Sequence, residues 1–233
     1  MRQVTETVVA LFVRAPVPGR VKTRLAVGLG EEGACQLYQA MVADILGTLK
    51  TSGLPIHLFH DDKDWGALPQ VWRDAATQVR PQRGADIGER MAAAFADSFA
   101  QEIEQVILVG SDIPDLDAGI IGAAREALAT HDAALAPAVD GGYGLIALKR
   151  QQYRPQLFTD IPWSTGQVLP TTLQRFAACR LNAALLPLLR DIDTLADLLA
   201  YRHHPCPSAP ATNQAIVQLL AQAGFGREHE PHR

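Results

Sequence analysis

The sequence has little of several features that mark particular classes of protein. It contains only three cysteines in 233 residues, Cys35, Cys179 and Cys206, and their wide spacing fits neither a disulfide framework nor a CxxC metal site. It also lacks a long apolar run. The apolar segment near the N-terminus follows Glu6 and is ended by prolines, so neither a signal peptide nor a membrane span fits it. We therefore expect a cytoplasmic protein that has no membrane partner.

The sequence also lacks an excess of positive charge. Its formal net charge is -4, whereas proteins that bind nucleic acid usually present a basic face, so we expect no nucleic-acid partner. No HExxH motif, Ser/His/Asp order or pair of glutamates is present, which disfavours covalent catalysis. The hydrophobic content of 48% is ordinary for a globular chain, and small molecules are the expected ligands.

Apolar periodicity indicates alternating strands and helices. Residues 7–13 and 56–60 are short β-branched or apolar runs typical of buried strands, and an apolar stripe at helical spacing begins near Glu31. The alternation continues to residue 149, which predicts βαβ units and a mostly parallel sheet covered on both faces. We predict a three-layer α/β/α sandwich in one domain, residues 1–233, with a core over about 7–203. A C-terminal helix over about 211–224 and a polar tail complete the prediction.

The loop after the first predicted strand, FVRAPVPGRVKTRLA, is rich in cations. Pro16 stiffens it, and Gly19 lets the backbone approach a ligand closely. Lys22 and Arg24, with Arg14 nearby, are suited to phosphate oxygens. The GxxxxGK[ST] spacing is absent, so a Walker-type phosphate loop does not fit. The alternative interpretation is a solvated basic turn before a helix.

Aspartates follow the predicted strand QVILV and open a later helix. Asp112, in VGSDIPDL, lies at the carboxyl end of a predicted strand, where a carboxylate without a partner would be costly. Mg²⁺ or Mn²⁺ would be a suitable partner. The alternative is a turn or helix cap, although Asp117 is the better N-cap candidate. In DIDTLADLL the residues 194–197 resemble a capping box, which leaves Asp191 and Asp193 unexplained. Asp193 is the candidate to complete the metal site.

RGADIGERM places Gly84 and Gly88 around Asp86 just before a helix. This arrangement suits backbone contact with a flat base or a ribose, so we assign all three residues to nucleotide binding. The alternative is an ordinary aspartate-containing turn that begins a helix.

Two further segments are candidates for contact with an acceptor or a sugar. Asp140, in VDGGYG, is followed by Gly141, Gly142 and Tyr143, which form a hairpin turn, a part of the site, or both. The second segment contains three candidate residues, Trp163, Ser164 and Thr165. Its indole either contacts the acceptor or covers an edge of the core.

Six motifs in one order carry a resemblance to a known family. FVRAPVPGRVKTRLA, GADIGERM, GSDIPDL, PAVDGGYGLIAL, WST and DIDTLADL resemble those of the bacterial rSAM/selenodomain-associated transferase 1 family over residues 8 to 200. That family looks like a branch of the nucleotide-diphospho-sugar transferases with the glycosyltransferase-A fold. KTRLA is also similar to the start of phospholactate guanylyltransferases, and DIDTLADL to the metal-binding segment of CMP-sugar synthetases.

The resemblance implies roles for individual residues. Lys22 would hold phosphates, Asp112 and Asp193 would bind the metal, and GADIG would border the base. Two positions depart from the family pattern: Arg14 stands where many members have lysine, and Gly144 where a bulky aromatic residue is common.

We therefore expect a Mg²⁺- or Mn²⁺-dependent transferase that acts on a nucleotide-activated substrate and a small acceptor. Lys22 and Asp112 are the expected catalytic residues, with Asp140 as a third candidate. The basic loop favours nucleotidyl transfer from an NTP to a phosphorylated or carboxylated acceptor. Glycosyl transfer from an NDP-sugar is the first alternative, in which Asp140 would be the base or acceptor-orienting carboxylate. A nucleotide-binding regulator without catalysis is the second.

Overall fold

The computed structural model describes residues 7–225, except for the side chains of residues 62–64. It contains a seven-stranded sheet in the order β3-β2-β1-β4-β6-β5-β7. The strands are β1 Thr7–Val13, β2 Ile56–His60, β3 Gln78–Pro81, β4 Gln105–Val109, β5 Ala133–Pro137, β6 Tyr143–Lys149 and β7 Ala183–Leu185. The helices are α1 Thr23–Thr51, α2 Gln70–Ala75, α3 Ile87–Phe99, α4 Ala118–Thr130, α5 Val168–Ala178, α6 Leu195–His203 and α7 Pro210–Gln222.

The sheet is mostly parallel, as the alternating pattern predicts. Only β6 among these strands runs against its neighbours, pairing antiparallel with β4 and β5. The carboxyl ends of β1 to β5 therefore meet at one edge, and the β5–β6 turn lies at that same edge. Ligands bind beyond this edge in open parallel sheets.

Two apolar cores cover the two faces of the sheet and confirm the three-layer sandwich. Alternate residues of β1 divide between them: Val9 and Leu11 belong to the core under α1, α4, α6 and α7. Val8 and Ala10 belong to the core that contains Phe95 of α3 and Phe176 of α5. This alternation follows from the two-residue period of a strand.

The predicted element boundaries need several corrections. α1 begins at Thr23, not near Glu31, and is interrupted at Gly30, whose φ of 72° and ψ of 165° are not helical. The short elements β3 and α2 were not predicted. α7 occupies Pro210–Gln222, close to the predicted 211–224, and the polar tail from residue 226 lies outside the described residues.

Side-chain caps fix where several helices begin. Asp117 accepts from the Ile120 N–H at the start of α4, and Thr194 and Asp197 form the predicted capping box of α6. Buried Asp44 of α1 accepts from the N–H groups of Ala211 and Thr212. A carboxylate at a helix N-terminus satisfies donors that lack intrahelical partners, so Asp44 anchors α7 against α1.

Candidate functional site

A cavity of about 530 Å³ lies at the carboxyl edge of the sheet. Residues from the loop after β1, the loop after β4, the β5–β6 turn, the segment before α5 and the segment before α6 line it. Its volume is in the range of small-molecule sites. The predicted site residues that line it are Arg14, Lys22, Asp112, Asp140, Gly142, Tyr143, Trp163, Ser164, Thr165 and Asp193.

Lys22, Asp112 and Asp193 meet near the middle of this edge, and we call them the central site. The Lys22 Nζ lies 3.4 Å from an Asp112 carboxylate oxygen and 3.7 Å from an Asp193 carboxylate oxygen. The side chain of Lys22 is 6% exposed, whereas those of Asp112 and Asp193 are 46% and 34% exposed. The structure thus places on one side of the sheet two aspartates that are 81 residues apart in the chain.

Lys22 has an unusual backbone conformation. Its φ of 48° and ψ of 42° are left-handed, and it precedes the first residue of α1. Left-handed backbone costs a non-glycine residue about 1–2 kcal/mol. The strained turn directs the ammonium to the two carboxylates at the ends of β4 and of the segment before α6.

Asp193 is held next to Asp112 by the segment that leads into α6. The Ile192 N–H donates to the Asp112 carbonyl at 3.1 Å. Arg190 forms a two-pronged ion pair with Asp115, at 2.7 Å from each guanidinium nitrogen, and its guanidinium lies over the Tyr201 ring. Bidentate pairs of this kind fix orientation as well as adding energy.

Asp191 faces the same cavity and is electrostatically linked to the central site. Burial, with a smaller contribution from the charges of Asp140 and Asp112, raises its pKa to about 6. Asp140 and Asp112 therefore each lie close enough to repel the Asp191 carboxylate. Asp112 is not a helix cap, because α4 begins six residues later behind Asp117.

The donor set suits a hard divalent cation. Mg²⁺ is commonly held by one or two carboxylates together with phosphate and water oxygens, and Asp112 and Asp193 offer two carboxylates that are partly exposed to the cavity. Among the described residues, no group of three or more His, Cys, Asp and Glu side chains is arranged to hold a metal. A cation held here would therefore need oxygens from a bound phosphate as well.

Tyr38 supports the loops on both sides of the central site. Its hydroxyl accepts from the Arg14 N–H at 2.8 Å and shares a hydrogen bond with the Ser111 hydroxyl at 3.0 Å. Burial raises its pKa to about 12. Tyr38 and Ser111 line the cavity, yet Tyr38 was predicted only as part of the apolar stripe of α1.

Arg24, Pro16 and Gly19 of the opening loop do not line the cavity. Arg24 donates to Asp193 at 2.8 Å and is 72% exposed. Pro16 is buried. Gly19 has a φ of 75°, a left-handed conformation that glycine adopts without strain and that disfavours any other residue there.

Gly84, Asp86 and Gly88 do not line the cavity in this structure. Asp86 is the N-cap of α3 and accepts from the Glu89 N–H, as the alternative interpretation predicts. A Cβ on Gly88 would lie 2.5 Å from the Trp163 indole nitrogen. The lining residues from this region are instead Gln82, Ile87, Arg90 and Met91, none of which was singled out from the sequence.

The β5–β6 turn packs against the segment before α5. One Asp140 carboxylate oxygen accepts from the Gly142 N–H at 2.8 Å, so the predicted turn is present. Gly141 lies against Gly166, and its carbonyl accepts from the Leu169 N–H at 2.9 Å. The segment that carries Trp163, Ser164 and Thr165 is therefore joined to the turn through Gly166, while the Trp163 indole lies against Gly88 at the start of α3.

Gly144 is closely packed, so a side chain at this position would require its neighbours to move. A Cβ there would lie 2.9 Å from Ile113 and 3.3 Å from Leu189. Tyr143 beside it lines the cavity, and burial raises the pKa of its phenol.

The seven-stranded sheet, with the cavity at its carboxyl edge, is the fold of the nucleotide-diphospho-sugar transferases. A chain from Desulfovibrio desulfuricans G20 named for that activity matches with a TM-score of 0.84 and 31% identity, over 95% of this chain and 98% of that one. The chain belongs to the family described as "Uncharacterized protein conserved in bacteria (DUF2064)", whose model matches residues 45–165. The resemblance predicted from the ordered motifs is confirmed.

Two other proteins extend the comparison. The 3-phospho-D-glycerate guanylyltransferase of Phenylobacterium zucineum (strain HLK1) is 31% identical over 143 residues, which are 55% of this chain. The match spans only 61% of that relative's length. Glucosyl-3-phosphoglycerate synthase from Mycobacterium tuberculosis, solved with Mg²⁺ and UDP, shares the fold at a TM-score of 0.52 and 12% identity, over 94% of this chain and 80% of that one.

No helix in the described part of the chain is both long enough and apolar enough to cross a membrane.

Proposed function

We propose that this protein is a nucleotidyltransferase that transfers a nucleoside monophosphate from an NTP to a small phosphorylated acceptor. The observation that carries the proposal is the central site, in which buried Lys22 lies between the carboxylates of Asp112 and Asp193. A fixed cation next to two carboxylates at the carboxyl edge of a parallel sheet suits a polyphosphate. The guanylyltransferase from Phenylobacterium supports the same reaction class.

Each residue of the central site has a part in this reaction. Lys22 binds phosphate oxygens and stabilises the negative charge that builds up on them. Asp112 and Asp193 would hold Mg²⁺ or Mn²⁺, which when bound neutralises phosphate charge. Tyr38 and Arg190 fix the loops that carry these groups. The protein supplies no nucleophile, because an acceptor phosphate oxygen attacks directly.

The direct test is release of pyrophosphate. Purified protein with Mg²⁺, each of the four NTPs and a panel of phosphorylated acceptors should release pyrophosphate with at least one pair. Lys22→Ala and Asp112→Asn should each reduce the rate by about 10²-fold or more. Lys50→Ala and Asp74→Asn remove the same charges from exposed positions on α1 and α2 and should leave the rate unchanged.

Glycosyl transfer from an NDP-sugar is the second candidate. Asp140, which lines the cavity at the end away from β3, favours it because a carboxylate there can orient an acceptor hydroxyl. The two reactions differ in what leaves: pyrophosphate from an NTP, a nucleoside diphosphate from an NDP-sugar. Release of UDP or GDP from a sugar nucleotide, with no pyrophosphate from any NTP, would replace our proposal. Binding of nucleotide with no release of either product would indicate a regulator.

A further inference from the structure

The two aspartates of the central site are paired with cations of the protein itself. The Lys22 Nζ lies 3.4 Å from Asp112 Oδ2 and 3.7 Å from Asp193 Oδ1. The second oxygen of Asp193, Oδ2, accepts from the Arg24 guanidinium at 2.8 Å. Both oxygens of Asp193 and one oxygen of Asp112 therefore face a cation.

The ammonium of Lys22 is held by charge and not by a short directed bond. Charge-assisted N–H···O hydrogen bonds are usually about 2.7–2.9 Å long, and both Nζ distances exceed that length. The side chain is only 6% exposed, so the two carboxylates, and not water, compensate most of its charge. An ammonium held in this way can be drawn off by a more highly charged anion.

A divalent cation bound to the same carboxylates would lie close to Lys22. An ion at about 2.1 Å from Asp112 Oδ2 would be no more than about 5.5 Å from the Nζ, because that oxygen is 3.4 Å from the Nζ. Like charges at this separation repel one another strongly where water is partly excluded. The ammonium and a metal ion therefore oppose each other at the two aspartates as long as no other anion is present.

A bound polyphosphate would relieve this opposition. Lys22 lines the cavity, and its flexible four-carbon stem allows the ammonium to move towards an anion there while its backbone stays in place. An ammonium that pairs with phosphate oxygens holds Asp112 and Asp193 less firmly. Both carboxylates then become available to a metal ion that the same phosphates also coordinate.

We infer that Lys22 competes with the metal ion for Asp112 and Asp193. The nucleotide-free protein therefore binds divalent cations weakly, and the ion binds together with the polyphosphate and not before it. This inference rests on the proposed function, which assigns phosphate to Lys22 and the metal ion to the two aspartates. It adds a second role for Lys22, which keeps the metal ligands occupied until the nucleotide arrives.

Titration of the nucleotide-free protein with Mn²⁺ alone tests the inference. Electron paramagnetic resonance measures the free Mn²⁺ and gives the dissociation constant. Lys22→Met removes the ammonium and keeps a stem of similar length, so its dissociation constant for Mn²⁺ should be about tenfold or more below that of the unmodified protein. Adding Asp112→Asn to Lys22→Met should abolish this gain, because the ion then lacks one of its two carboxylates.

Three further variants control for fold and for charge. Lys22→Gly also lacks the ammonium, and glycine suits the left-handed backbone at this position, so it should show the same gain as Lys22→Met. Arg24→Met frees one oxygen of Asp193, but the arginine side chain is 72% exposed, where ion pairs are weak, so its gain should not exceed about fivefold. Lys50→Met removes a positive charge from an exposed position of α1 and should leave the dissociation constant unchanged.

The inference is overturned if both Lys22 variants bind Mn²⁺ no more tightly than the unmodified protein does. It is also overturned if the gain survives Asp112→Asn, or if Lys50→Met shows the same gain. These titrations contain no nucleotide, so they are independent of pyrophosphate release. If no NTP yields pyrophosphate, the proposed function fails, while tighter Mn²⁺ binding by the Lys22 variants still supports the competition.

Discussion

At the scale of the residue, Lys22 combines a functional position with an unfavourable conformation. Its side chain is almost fully covered and ion-paired to two carboxylates, while its backbone is left-handed. Strained backbone at a binding site persists when the surrounding structure fixes it. Here the first turn of α1 and the buried Val21 and Leu25 on either side provide that support.

Two substitutions at Lys22 separate its charge from its backbone strain. Lys22→Ala keeps the left-handed residue and removes the ammonium, whereas Lys22→Gly also relieves the strain. We expect both variants to lose nucleotide binding to the same extent in calorimetric titration. In urea unfolding, Lys22→Gly should be more stable than Lys22→Ala by about 0.5–1 kcal/mol, the left-handed cost less the entropy that glycine loses on folding. If Lys22→Gly is instead the less stable variant by about 0.5–1 kcal/mol, the entropic cost of glycine alone, the turn is not strained.

Residue-scale prediction from the sequence was uneven for physical reasons. Asp112 and Lys22 could be found because each follows an apolar strand, where a charged residue has few structural explanations. Tyr38 was missed because its ring fits the apolar stripe of α1 and only its hydroxyl reaches Arg14 and Ser111. Gln82 was missed because β3 before it is a four-residue edge strand without an apolar run.

At the scale of the element, the segment 189–193 determines the geometry of the central site. Its backbone pairs with residues at the end of β5 and with the loop after β4, and the fork of Arg190 on Asp115 attaches it to that loop. The sequence indicated Asp193 as a metal-ligand candidate. The two-pronged ion pair of Arg190 with Asp115 could not be predicted, because it joins two loops that come together only in the folded sheet.

Arg190 is therefore a positioning residue, and its removal should have two measurable effects. Arg190→Met keeps the stem against Tyr201 but leaves Asp115, whose side chain is 14% exposed, without its ion pair. We expect the free energy of unfolding in urea to fall by about 2 kcal/mol. The Mg²⁺ concentration for half-maximal pyrophosphate release should rise more than kcat falls, because Asp193 is less well held.

Arg175→Met is the matched control for this prediction. It breaks an ion pair with Asp160, whose side chain is 80% exposed, and exposed pairs contribute about 0–1 kcal/mol. It should change neither the Mg²⁺ dependence nor, by more than that amount, the stability. If Arg190→Met changes the stability and the Mg²⁺ dependence no more than Arg175→Met does, the ion pair of Arg190 with Asp115 does not position Asp193.

At the scale of the whole molecule, the sheet and its helices were more predictable than the site. Strands β1 and β2 occur where the apolar runs predict them, and the alternation of strands and helices continues to Lys149 at the end of β6, as predicted. A pattern of burial is repeated over many residues, so single exceptions do not hide it. The cavity instead depends on loops from six places in the chain, and loop geometry is determined by caps, turns and ion pairs that have no periodic signature.

The sheet also buries a titratable group that has no part in the site. His57 lies in β2, is 3% exposed, and its Nδ1 has no hydrogen-bond partner in the described structure. Burial, together with the nearby charge of Arg80, lowers its pKa from 6.5 to about 4. The folded protein therefore holds this ring neutral at pH values where the unfolded chain protonates it.

This difference predicts how stability depends on pH. Because the folded pKa is lower than the unfolded one, the unfolded state binds more protons between pH 6.5 and pH 4, and stability falls as the pH falls through that window. The contribution is fully present above pH 6.5, and we expect a loss of about 3 kcal/mol by pH 4. The free energy of unfolding in urea can be measured at a series of pH values. In His57→Leu its decrease between pH 6.5 and pH 4 should be smaller by about 3 kcal/mol. His203→Leu, at an exposed position of α6, should show the same decrease as the unmodified protein. If the free energy of unfolding of His57→Leu falls just as steeply between pH 6.5 and pH 4, other groups cause the acid sensitivity.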